Sequence, residues 1–231
     1  MNRREFLQFL TAGYMAGLVK PLHGSTRVNY NIKPFGNLRL IHLTDTHAQL
    51  DPMYFREPNY NLGVGKNKNM PPHLVGKKLL DYYSINSDLI KYAYTHLNFN
   101  EHAKVFGKFG GYAYLKTIVD ILKDAANNNS LLLDGGDTWQ GSGLSLLENG
   151  KDMVEASNIL GVDVMTGHWE FTYGEKIFLD NLRNFNGDFV AQNISLTEEA
   201  IFDGMEPIDE SNHFQKPFVI KKINNLRVAV I

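Results

Sequence analysis

Short apolar runs alternate with amphipathic stretches along this chain, and the alternation predicts its architecture. Residues 38–43, 131–133, 162–165 and 189–191 are apolar runs of strand length, several of them bounded by turn residues. Between the first two, 111–127 carries Leu115, Ile118, Val119 and Leu122 at i, i+3, i+4 and i+7, which predicts a helix with one apolar face. Two more helices are expected, from about 150 to 160 and from about 175 to 185. Strands that alternate with helices signal βαβ units and a mainly parallel sheet, an α/β fold. Near the end, 218–223 and 226–231 flank Asn224-Asn225 as a hairpin. The stretch 49–109 reads as irregular, with Pro52, Pro58, Pro71 and Pro72 and helical pieces at 73–83 and 88–94. So long an interruption of a compact domain points to a lid or docking insertion, with a loose surface excursion as the alternative.

Three strands run straight into acids and imidazoles. The first is followed by Asp45-Thr46-His47, the second by Asp134-Gly135-Gly136-Asp137, and the third by Gly167-His168-Trp169-Glu170. Open parallel sheets place their chemistry at the carboxyl ends of the strands, so these tips are a candidate metal site. On an extended backbone Asp45 and His47 would leave toward one side. The two glycines before Asp137 let the chain turn tightly. Blander readings stand beside each motif: a polar turn at 45–47, a hairpin turn at Asp134-Gly135, a core or supporting role for His168, and simple core packing for Trp169.

Composition narrows the chemistry. The 231 residues contain no cysteine, so disulfides and thiolate metal sites are excluded and any metal must use oxygen or imidazole ligands. Such ligands suit manganese, iron or zinc. A net charge of -2 without a clustered basic face argues against nucleic acid as the main partner.

The amino terminus reads as a targeting segment. Arg3-Arg4-Glu5-Phe6-Leu7 is a twin-arginine signature ahead of an apolar run at 9–19, so residues 1–28 are expected to be a signal and linker for export to the periplasm. The run is too short to serve as a stable membrane anchor. At the other end the chain stops inside an apolar run, which suggests the amino-terminal part of a longer protein.

Taken in order, Asp45-x-His47, Gly136-Asp137 and Gly167-His168-x-Glu170 resemble the calcineurin-like metallophosphoesterases of the 5'-nucleotidase branch. That branch usually reads Gly-Asn-His-Glu at the third motif, so His168 and Trp169 both depart from it. The departure is similar to the SoxB family of thiosulfohydrolases, as are PMYFREPNYNLGVG, THLNF, KFGGYAYL, LLLDGGDTWQGS and VDVMTGHWEFTYG.

The resemblance implies a four-layer αββα sandwich, with 37–231 forming its amino-terminal part and further histidine ligands and a second domain following. It implies two manganese ions held by Asp45, His47, Asp137 and His168, with Asp137 bridging. It also implies a SoxYZ-type carrier protein that presents a cysteine S-thiosulfonate for hydrolytic release of sulfate. Trp169 replaces the histidine that phosphoesterases place near the leaving oxygen. A sulfur leaving group needs a general acid less than an alkoxide does, so Trp169 is expected to wall a slot for the carrier arm. Arg56 could grip a sulfonate through its planar fork, a surface salt bridge being the alternative. Asn193 and His96 are further candidates for contact with substrate, and Glu170 is expected to brace its turn by accepting backbone N–H bonds. A 5'-nucleotidase or a non-catalytic binding module are the competing functions.

Overall fold

Each of the first four strands buries alternate side chains on opposite faces, as the two-residue period of a strand requires. In the computed structural model, which describes residues 36–53 and 55–231, they are β1 (Arg39–Leu43), β2 (Ser130–Asp134), β3 (Val164–Met165) and β4 (Asp188–Phe189). They pair in the order β1-β2-β3-β4, every pair parallel. Ile41, Leu132, Met165 and Phe189 point to one face, and Leu133, Val164 and Val190 to the other.

The first face is covered by helices. α4 (Tyr112–Ala125) contributes Val119, α6 (Lys151–Leu160) contributes Met153, Val154 and Leu160, and α7 (Glu175–Asn184) contributes Phe178. Sequential parallel strands joined by crossovers of one hand put all their helices on one side. On the other face lies the hairpin of β5 (Val219–Ile223) and β6 (Leu226–Val230), whose Val219 and Val230 pack on Val164 and Val190. Asn224 takes the left-handed conformation at its tip. The α/β expectation therefore holds, with a helical layer, a parallel sheet and a two-stranded antiparallel layer among the described residues.

Three helices fill the insertion: α1 (Gly76–Tyr82), α2 (Asp88–Tyr94) and α3 (Phe99–Phe106). The last was not expected. Tyr92, Phe99 and Ala103 form a small core of their own with Met53 and Phe109. α5 (Gly143–Glu148) and α8 (Glu198–Phe202) were also not foreseen; Ser142 and Thr197 start them by accepting from the N–H groups of Ser145 and Ala200. The third and fourth strands are shorter than their apolar runs because Val162 N–H goes to Ser157 and Ala191 N–H to Lys216, outside the ladder.

Among the described residues no helix is long and apolar enough to cross a membrane. The twin-arginine segment lies outside the described residues.

Candidate metal centre

Backbone pairing does not stop where β1 and β2 end. Gly135 N–H donates to Leu43, Asp45 N–H to Gly136, His47 N–H to Asp137 and Ala48 N–H to Thr138, each near 3 Å. These bonds fasten the two ligand-bearing turns to each other. The third turn is brought in through Gly136, which takes φ +90° and leaves no room for a side chain. A Cβ there would lie 2.9 Å from the Thr166 carbonyl oxygen and 3.0 Å from the His168 nitrogen. Gly141 plays the same part behind His47, whose carbonyl oxygen would sit 2.7 Å from an added Cβ.

Four predicted ligands meet here. Asp45, Asp137 and His168 offer ligand atoms that all lie within 4.8 Å of one another. His47 Nε2 is 3.2 Å and His168 Nδ1 is 3.4 Å from the same Asp137 oxygen, Oδ2. Asp137 is buried while both imidazoles remain accessible, so the cluster is open on one side. Two rings on one buried carboxylate oxygen, with a second carboxylate nearby, fit a divalent cation with mixed oxygen and imidazole ligation.

The backbone at the first turn corrects the extended geometry expected for Asp45 and His47. Asp45 has φ 54°, His47 φ 51° and Ala48 φ 52°, so three residues of this short stretch adopt the left-handed conformation. Asp137, at φ 55°, does the same. Non-glycine residues there are uncommon and cluster at functional sites. The two ligands reach Asp137 through a coiled turn held by the neighbouring strand's loop, not by strand alternation.

Glu170 is the residue that joins the second and third turns. It is fully buried. Its Oε1 accepts from Thr138 N–H at 2.6 Å and Trp139 N–H at 3.0 Å, and its Oε2 from His168 N–H at 2.7 Å and Asp137 N–H at 3.2 Å. Four donors compensate a carboxylate that burial alone would make costly. The bracing role expected for Glu170 is thus wider than one turn, because it ties the Asp137 loop to the His168 loop.

Beneath the ligands lies a polar layer whose members are far apart in the sequence. The Tyr112 hydroxyl, at the start of α4, is 3.2 Å from Thr46 Oγ1 inside the first motif, and burial pushes its phenol up to about 12. Asp134 Oδ1 accepts from Gly136 N–H at 3.0 Å and the Thr138 hydroxyl at 2.9 Å, while its Oδ2 is buried with no partner. Burial pushes this carboxyl up to about 7, against the pull of those two bonds. The sequence does not single out Tyr112, and it marks Asp134 only as part of the second strand tip, with a hairpin turn as its alternative.

Of the remaining predicted residues, Trp169 stays beside the ligands, while Arg56 and His96 do not border them. Trp169 opens a 3-10 turn (Trp169–Tyr173) and is 53% exposed, its ring 6.0 Å from the His168 ring edge-on, which rules out core packing. Asn193 sits in an exposed turn after Ala191, with no hydrogen bond from its side chain to the ligands. Arg56 and His96 line a cavity in the insertion that none of the ligands borders.

No family profile and no curated protein matches the chain. Among solved structures, it is similar to the sulfate thiohydrolase SoxB of Thermus thermophilus in complex with glycerol, with 32% identity and TM-score 0.65 over 86% of this chain and 35% of that one. A Haemophilus influenzae NAD nucleotidase (17% identity, TM-score 0.51, 84% and 26%) and a 5'-nucleotidase precursor of Thermus thermophilus (20%, 0.50, 84% and 28%) share the fold. The chain spans about a third of the length of the thiohydrolase.

Glu170→Gln replaces one acceptor oxygen of the cradle with a donor that faces N–H groups. It should cost about 1–3 kcal/mol in urea unfolding and weaken metal binding by about 10- to 100-fold in titration. The elevated Asp134 carboxyl has a defined sign. The folded protein holds that proton more tightly than the unfolded chain, whose aspartate titrates near 3.8, so its contribution to stability is lost as pH rises toward about 7. In metal-free protein, Asp134→Asn should remove this decline and exceed the parent by on the order of 1–3 kcal/mol at pH 8, the gain shrinking toward pH 4.

Proposed function

We propose, for a chain that belongs to the calcineurin-like metallophosphoesterase superfamily, that its hydrolytic chemistry is release of sulfate from a sulfonate held through sulfur on a carrier cysteine. The observation that carries this reading is the third turn, where an imidazole stands beside Asp137 Oδ2 and an exposed Trp169, not a second histidine, follows it. Similarity to a sulfate thiohydrolase at 32% identity supports it.

Asp45, His47, Asp137 and His168 would hold the metal, taken as two manganese ions from the resemblance. Bound divalent cations would supply Lewis acidity to the attacking water and to the sulfonate oxygens. The chain's own contribution is placement. Glu170 fixes the backbone bearing Asp137 against the backbone bearing His168, and the Tyr112–Thr46 contact steadies the turn that bears Asp45 and His47.

In the reaction, water oxygen bonds to the sulfonate sulfur and the sulfur–sulfur bond breaks. Its electron pair stays with the sulfur on the carrier, which leaves as a persulfide anion, while sulfate and two protons are released. A sulfur anion is a far better leaving group than an alkoxide, since even an ordinary thiol has a pKa of about 8.5. No general acid is needed at position 169, and an exposed indole there offers an apolar wall to an incoming carrier arm. The carrier would be of the SoxYZ type, and export by the twin-arginine route to the periplasm would place the enzyme with it.

The full-length, manganese-loaded protein, assayed side by side on carrier-bound S-thiosulfonate and on a nucleoside monophosphate, should release sulfate and little phosphate. The reverse preference would make it a 5'-nucleotidase, and no turnover of either would favour a binding role. Trp169→His should raise phosphate release at least about tenfold while lowering sulfate release. If both rates stay unchanged, position 169 does not separate the two chemistries.

A further inference from the structure

The insertion holds a second polar site, whose lining includes none of the ligands. A cavity of about 220 Å³ lies beside the start of α3, lined by Arg56, His96, Asn98, Phe99, Asn100 and Glu101 among others. Arg56 is anchored in place. Its guanidinium lies over the rings of Phe99 at 5.1 Å and Phe109 at 5.8 Å, and Nη1 donates to the Ala93 carbonyl at 2.9 Å. Aromatic faces and one carbonyl use only part of a guanidinium's five N–H donors. Among the described residues no carboxylate pairs with it.

The other lining groups are also unspent. His96 Nδ1 is buried with no hydrogen-bond partner. The side-chain amides of Asn98 and Asn100 make no hydrogen bond among the described residues. The single acid of the lining, Glu101, is turned to Lys104 at 3.1 Å. A cavity with a fixed cation and free amides offers donors in excess, and its one acid is paired with Lys104.

We propose that this cavity is an oxyanion-binding site for a sulfate- or sulfonate-sized anion, distinct from the metal centre. The planar fork of Arg56 takes two oxygens, as guanidinium does with carboxylate, sulfate and phosphate groups. The amides of Asn98 and Asn100 donate to the others. The anion is either free in solution or the sulfonate end of a larger molecule. The site does not depend on the hydrolase reading, since none of its residues is a metal ligand.

The test is a titration of the metal-free protein with inorganic sulfate, methanesulfonate and inorganic phosphate, followed by the amide signals of Asn98 and Asn100. Saturable shifts are expected with at least one of the sulfur oxyanions. Binding of methanesulfonate as tightly as sulfate identifies a terminal sulfonate as the recognised group; sulfate alone identifies the free dianion. Arg56→Lys, which keeps the charge and removes the fork, should weaken binding at least about tenfold. Asn100→Asp, on an exposed residue outside the small core, should do the same by setting a negative charge in the lining, with manganese binding unchanged. An absence of saturable shifts, or equal affinity in Asn100→Asp, overturns the proposal.

Discussion

A buried carboxylate that gathers four backbone N–H groups from two separate loops is the constraint on which the centre depends. Left unpaired, Glu170 would carry a desolvation cost of several kcal/mol. It is tolerated because Asp137, Thr138 and Trp139 from one loop and His168 from the other all donate to it. The bargain works in both directions. Those N–H groups sit beyond the ends of strands and have no ladder partner, so the carboxylate fixes the loops while the loops hold the carboxylate. The backbones that carry Asp137 and His168 are therefore held against each other by one carboxylate oxygen.

The parallel sheet supplies the rest of the arrangement. Adjacent parallel strands deliver their carboxyl ends to one edge, so three consecutive strand tips become neighbours without any long-range threading. Glycine does the fine fitting. At Gly136 and Gly141 a single methyl group would collide with backbone of the adjoining turn, which no rotamer change could relieve. Left-handed backbone at Asp45, His47 and Asp137 is the strain that remains, and the shared bonds between the first two loops hold it in place.

Much of this is legible in the residues alone, for physical reasons. Ile41, Leu132, Met165 and Phe189 sit in short apolar runs, and period-two burial fixes which face they take. The strand tips are marked because an acid or imidazole directly after such a run has few structural reasons to be there. The left-handed turn at 45–48 left no such mark, since the bonds that hold it come from Gly136, Asp137 and Thr138 of the second loop. Tyr112 and Thr46 are 66 positions apart, and only the packing of α4 against the first loop joins them. Arg56 was read as a charge for a substrate, yet its place is decided by Phe99 and Phe109, a contact that sequence spacing does not encode. The similarity to a sulfate thiohydrolase runs over 86% of the chain, well beyond these strand tips.

The most direct test of the account is whether the His168 ring binds the metal. Manganese bound to the intact protein should show magnetic coupling to imidazole nitrogen, and His168→Ala should remove part of that coupling and weaken binding at least about tenfold. Identical coupling and affinity in the two proteins would place the ring outside the centre and contradict the account.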